Sequence, residues 1–139
     1  MPSNFLLDTH LWIWLQEGDS SRLRPKSVSV LVDMQRKSLL NASVISIWEI
    51  AHLLSRGRLS LSIPLEDWLA ESWSDGAIRR IPISQEIAIE STRLPGTLHR
   101  DPADRFLVAT ARVEDMTLLT SDEPLLAYAK QGHLRARRV

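Results

Sequence analysis

Phe5-Leu6-Leu7-Asp8-Thr9-His10 sets the reading of the whole chain. Three apolar residues ending on an aspartate describe a short buried strand with a polar group at its C-terminal end. Thr9–Gln16 then reads as a helix, closed by Gly18 and Asp19. The same alternation recurs downstream. Leu39–Val44 reads as a strand followed by a helix over Ser46–Ser55 and a stop at Gly57. Ile78–Ile83 is a strand before a helix that Ser84-Gln85-Glu86 opens, that runs to Arg93 and that Pro95-Gly96 breaks. Thr117–Thr120 is a strand before a helix over Glu123–Lys130, and His133–Arg138 reads as an edge strand. Three further helices are Pro25–Lys37, opened by its proline, Pro64–Ser74, and one from Asp101-Pro102 to Glu114. Short apolar strands alternating with helices predict an α/β fold with a largely parallel sheet covered on both faces.

A chain of 139 residues suits one domain, here 1–139, with no repeat or linker in it. At 44% hydrophobic and 24% charged it has globular composition rather than that of a disordered chain. The absence of cysteine excludes a disulfide scaffold, an iron–sulfur cluster and a thiolate zinc site. Asp8 and His10 interrupt the apolar N-terminus and no basic segment precedes it, so a signal peptide is not expected. No apolar run reaches the ~20 residues that span a bilayer. The expectation is a soluble, cytoplasmic protein with no membrane partner. Seventeen basic and 17 acidic side chains give zero net charge, which leaves nucleic acid open because local patches decide binding.

Chemistry in open parallel sheets collects beyond the carboxyl ends of the strands. Asp8 and Asp122 both follow strand-like runs there, with helix capping as the plain alternative for each. Glu49 shares a helical stripe with Ile45 and Leu53, where a carboxylate is costly unless paired or metal-bound. Its plain alternative is a stripe edge reaching solvent. Asp101 precedes Pro102 and reads as an N-cap, while Asp104 lies in the first turn, where the helix dipole favours negative charge.

Leu6-Leu7-Asp8-Thr9-His10, Ser46-Ile47-Trp48-Glu49-Ile50-Ala51, His99-Arg100-Asp101-Pro102-Ala103-Asp104-Arg105 and Leu119-Thr120-Ser121-Asp122 occur in that order. Together they resemble the four acidic motifs of PIN-domain ribonucleases, specifically the VapC-type toxins of bacterial toxin–antitoxin pairs. The resemblance covers nearly the whole chain. It implies a three-layer α/β/α sandwich in which Asp8, Glu49, Asp104 and Asp122 converge and bind one or two Mg²⁺ or Mn²⁺ ions. Asp8 and Asp104 would be the main ligands. In the family the third acid heads a helix ending Ala-x-Ala, a pattern that Asp104 meets with Ala109-Thr110-Ala111, so Asp101 is assigned as the cap. The implied activity is hydrolysis of RNA phosphodiesters, with a VapB-like antitoxin as inhibitor and a homodimer as the assembly. The chemistry agrees: hard cations take oxygen ligands, and clustered carboxylates repel one another without one.

Other motifs are weaker. The four histidines, at 10, 52, 99 and 133, show no zinc spacing, and His99 reads as a loop residue rather than a ligand. No Gly-rich phosphate loop and no Gly-x-Ser-x-Gly elbow occur. Arg100, Arg105 and Arg112 flank the acids and are candidates for RNA phosphates, with solvated surface arginines as the alternative. The basic tail with Lys130, Arg135, Arg137 and Arg138 is a further RNA contact or an exposed end. Core packing accounts for most of the five tryptophans, and Trp12 and Trp14 cannot face the same way, so one of them is expected to line a groove. By resemblance, the early helices receive the antitoxin. The rival readings are a catalytically silent PIN-like module that binds RNA or protein, and an aspartyl-phosphate phosphatase. The phosphatase usually needs a second acid where His10 stands.

Overall fold

Leu6 and Leu7 point to opposite faces of one sheet, and each face builds a core of its own. The computed structural model describes residues 4–139. Strand β1 (Phe5–Leu7) pairs in parallel with β2 (Leu40–Ser43) on one side and β4 (Thr117–Thr120) on the other. Beyond them, β3 (Ile78–Ile81) joins β2 and β5 (Ala136–Arg138) joins β4, giving the order β3-β2-β1-β4-β5, parallel throughout. Leu6 sits in register with Leu118, and both join Leu107, Leu125 and Tyr128 in one core. Leu7 and Leu119, one residue on, join Leu11, Trp12, Leu31, Ile50 and Trp68 in the other. Seven helices supply those layers: α1 (Thr9–Glu17), α2 (Pro25–Arg36), α3 (Val44–Ser55), α4 (Leu65–Trp73), α5 (Gln85–Glu90), α6 (Pro102–Val113) and α7 (Glu123–Lys130). No helix among the described residues is long and apolar enough to cross a membrane.

Most departures from the sequence reading lie at element ends and have local causes. Ser43 Oγ accepts the Ile45 N–H at 3.0 Å, so α3 begins at Val44, two residues before its expected start, and β2 stops at Ser43. Pro82 has no N–H to give, and β3 ends at Ile81 instead of running to Ile83. Helix α1 continues to Glu17, where Gly18 adopts a left-handed conformation with φ 65°. Helix α5 stops at Glu90 rather than Arg93, and β5 starts at Ala136 rather than His133.

Chain order and strand order together create the position that matters. From β1 the chain steps outward to β2 and β3, then crosses back to lay β4 on the other side of β1. The reversal leaves a crevice outside the carboxyl ends of β1 and β4, the usual place for a ligand in an open α/β sheet.

Candidate metal centre

Asp8 leaves β1 directly into that crevice. It occupies the N-cap position of α1, yet its side chain caps nothing. Instead the Thr120 hydroxyl donates to Asp8 Oδ2 at 2.6 Å and accepts the Asp122 N–H at 3.0 Å, fastening the ends of β1 and β4 together. Burial pushes the Asp8 carboxyl above its ordinary value; the Thr120 hydrogen bond and His10 oppose that, and the Asp122 charge adds to it. Capping, the plain alternative for Asp8, therefore fails. For Asp122 it holds, since Oδ2 accepts the Leu125 N–H at 3.1 Å at the start of α7. Asp101 likewise caps α6, accepting the Asp104 N–H at 3.2 Å, as the sequence predicts.

Asp104 is strongly perturbed as well. Its half-buried carboxyl is pushed up to about 7, first by burial and then by the charges of Asp101, Asp8, Asp122 and Glu49. All four predicted acids are thus within electrostatic reach of one another. Glu49 is raised too, chiefly by burial, with Thr9 and His10 pulling it back and Asp8 and Asp101 pushing it up. Its place on α3 is the buried edge of the stripe: Ile45 and Ile50 lie in the core, while neighbouring Trp48 is 53% exposed.

His99 makes a contact that the sequence reading did not include. The residue does lie in a loop, but the loop brings its Nε2 to 3.2 Å from Asp104 Oδ2. Donor atoms of His99, Asp104 and Asp122 lie within 4.8 Å of one another. The Asp101 N–H points at His99 Nδ1, 3.3 Å away, so Nδ1 accepts and the ring proton sits on Nε2. In this arrangement His99 donates to Asp104. The available signal was its position two residues before a helix cap, which puts a side chain against the first turn.

The donor set fits a hard divalent cation. Asp104 at the head of α6 and Asp122 at the start of α7 come together with His99, and Asp8 and Glu49 lie near enough for their charges to act on Asp104. A carboxyl forced to about 7 by burial and like charge gains from a nearby positive ion. Oxygen-rich sites favour Mg²⁺ and Mn²⁺ over thiophilic metals.

The sequence matches the PIN domain over residues 5–131. Ribonuclease VapC22 of Mycobacterium tuberculosis is 30% identical over 123 residues, or 88% of this chain and 90% of that protein. The chain belongs to the PIN-domain family. Its fold resembles VapBC2 from Rickettsia felis bound to a promoter DNA fragment, with a TM-score of 0.69, 16% identity and coverage of 96% of this chain and 97% of that one. DNA-bound VapBC from Salmonella typhimurium gives 0.67 at 17% identity, covering 99% and 98% of the two chains. The three-layer α/β/α sandwich with a parallel sheet is thus the PIN fold.

The arginines of this PIN domain have different surroundings. Arg105 donates Nε to the Ser91 carbonyl at 3.0 Å and Nη1 to the Leu98 carbonyl at 3.2 Å, bracing the loop that carries His99. Arg112 pairs with Glu90 at 2.7 Å, two turns of α6 or more away from Asp104. Both guanidinium groups are engaged by the protein, whereas exposed Arg100 makes no ion pair among the described residues. In the basic tail, Arg135 pairs with Asp115 and Arg138 with Glu123. Of the two early tryptophans, Trp12 is fully buried against Trp68 and Trp73, and Trp14 is the one that reaches the surface.

Proposed function

We propose that this single-domain protein is the toxin of a type II toxin–antitoxin pair. It acts as a Mg²⁺- or Mn²⁺-dependent endoribonuclease in the cytoplasm, restrained by a VapB-like antitoxin and assembled as a homodimer by family resemblance. One observation supports the reading: Asp104, beside Asp122 and within reach of the charges of Asp101, Asp8 and Glu49, has a carboxyl that burial first and those charges second push up to about 7. A silent binding module has no use for such a cluster. Asp8 and Asp104 are the main ligands, with Glu49 and Asp122 completing the set. The cation supplies polarisation of a phosphoryl oxygen and eases loss of a proton from the attacking water.

The protein's own groups do the rest. Thr120 fixes the Asp8 carboxylate through its hydroxyl, the Asp101 cap holds the Asp104 backbone at the start of α6, and His99 Nε2–H holds the Asp104 carboxylate. These restraints hold the acids in place before substrate arrives, which lowers the reorganisation needed during reaction. Arg100, exposed and just before the Asp101 cap, is the flanking cation we assign to a phosphate.

Purified protein incubated with an RNA panel should cut in Mg²⁺ or Mn²⁺ and stop in chelator. Expression alone should arrest growth, and Glu49→Gln should relieve the arrest at matched soluble protein, because glutamine keeps the size and removes the charge. Equal arrest by the two proteins would overturn the nuclease reading and favour the silent module.

A further inference from the structure

A groove of ≈ 450 Å³ leads away from the acids along the outer side of α1, with His10 at its near end. His10 is exposed and close enough to Asp8 and Glu49 to act on both carboxylates. One helical turn further on stands Trp14, its ring centroid 6.0 Å from that of His10. The opposite wall is the end of α3 at Leu53 and the segment just after it, which presents Arg58. Arg22, from the loop after α1, sits with its guanidinium over the Trp14 ring, 5.8 Å from its centre, and so covers the indole face that borders the groove.

The charges in this groove are asymmetric in their partners. Glu17 is engaged from behind, accepting the Ser62 N–H and hydroxyl at 2.8 Å each and the Trp68 indole N–H at 3.2 Å. Asp19 is engaged by its own turn, accepting the Ser21 N–H at 3.0 Å and the Ser21 hydroxyl. Exposed Arg22 and Arg58 make no ion pair among the described residues. The groove thus offers Arg58, outside any ion pair, and Arg22, which lies over the indole and acts on Asp19 without a close ion pair, around an aromatic face whose near end, His10, adjoins the acids. Single-stranded nucleic acid is held by that combination: a base stacks on the ring while cations meet the flanking phosphates.

We propose that the groove of Trp14, Arg22 and Arg58 holds the RNA strand beside the scissile phosphate, a base stacking on Trp14 and the two arginines meeting backbone phosphates. In that complex Arg22 leaves the indole face for a phosphate, and the base takes its place. The inference rests on the ribonuclease reading, and its test separates the two. Binding of a fluorescein-labelled, mixed-sequence single-stranded RNA oligonucleotide is measured by anisotropy with Mg²⁺ in the Glu49→Gln background, where cleavage does not interfere. Trp14→Leu should weaken binding roughly tenfold, in the range of one lost base stack. Arg58→Gln and Arg22→Gln should each weaken it and lower the salt slope by about one. Trp14→Phe, which keeps a stacking face, should fall between parent and Trp14→Leu; Arg58, fully on the surface, gives a variant whose folding is not at issue. Unchanged RNA affinity in Trp14→Leu together with unchanged affinity and salt slope in Arg58→Gln would overturn the proposal. So would variants that bind RNA normally but are no longer relieved by the antitoxin, since the groove would then belong to a protein. If the parent neither binds nor cuts any RNA, the ribonuclease reading itself fails.

Discussion

The two ends of α1 each carry a carboxylate, and the protein treats them in opposite ways. At the C-terminal end, Glu17 receives three donors from Ser62 and Trp68 and ties α1 to the start of α4. At the N-terminal end, Asp8 is buried with Asp122 beside it, and Asp104 and Glu49 are near enough to feel its charge. Glu17 is a fastening whose negative charge is answered by N–H and O–H groups. Asp8 accepts from Thr120 and feels His10, yet burial and the Asp122 charge still leave its carboxyl raised. Folding favours the first arrangement and tolerates the second, which is why the unfavourable cluster is the proposed site.

Removing the charge at each end is the strongest way to break this comparison. Asp8→Asn should lower metal-dependent RNA cleavage by about 10²–10³-fold, the scale of losing a preorganised charge at a reacting centre. It should leave the melting temperature of the metal-free protein unchanged or higher, because burial already opposes the charged form. Mg²⁺ should raise the parent's melting temperature more than the variant's. Glu17→Gln should do the reverse, keeping cleavage while costing about 1–2 kcal/mol of stability through weakened charge-assisted hydrogen bonds. Cleavage assays and denaturant melts of both variants decide it; a nuclease-dead Glu17→Gln or an active Asp8→Asn would erase the distinction.

A smaller effect sharpens the same contrast through pH. Folded Asp104 holds its proton up to about 7, whereas the unfolded chain releases it near 3.8. Between those values the folded state binds more protons, so metal-free stability falls as pH rises across the window and levels off above it. Asp104→Asn lacks that slope. In chelator the variant should therefore gain on the parent from pH 4 to pH 8, by about 1–2 kcal/mol once solvent screening is allowed for. Added Mg²⁺ should reverse the order at pH 8, since the parent retains the ligand. Parallel pH profiles for the two proteins would show that Asp104 carries no such strain.

Much of this was legible before any coordinates. Leu6 and Leu7 followed by Asp8 announce a buried parallel strand with a functional end, and Glu49 on an apolar stripe announces a carboxylate with a purpose. Both signals work because burying charge is costly enough to leave a trace in composition. The sequence could not separate Asp8 from Asp122 as caps, because capping depends on a side-chain rotamer and both residues stand at N-cap positions. Nor could it show that Arg105 and Arg112 serve loops and Glu90, since those partners lie 14 and 22 residues away in the chain. His99 was obscured for a related reason: its role arises from where a loop folds back. Trp48 illustrates the limit of composition, for its neighbours Ile45, Ile47 and Ile50 suggest burial and it is 53% exposed.

The smallest expected effect concerns Asp101, which has the same side chain as Asp104, three residues away, and a different task. Asp101 accepts the Asp104 N–H and so caps the start of α6, a job that asparagine performs about as well. The backbone N–H that it offers His99 is untouched by any side-chain change. Asp101→Asn should therefore keep stability within about 0.5 kcal/mol and retain cleavage, whereas Asp101→Ala should cost about 1 kcal/mol from the lost cap. Its charge does raise the Asp104 carboxyl, so the metal-free Asp101→Asn protein should show a shallower loss of stability between pH 4 and pH 8 than the parent. Melts of the three proteins across that range, alongside cleavage of one RNA, separate the cap from the ligand. If Asp101→Asn lost cleavage as completely as Asp104→Asn, both carboxylates would have to touch the cation, and the division of labour at the start of α6 would be wrong.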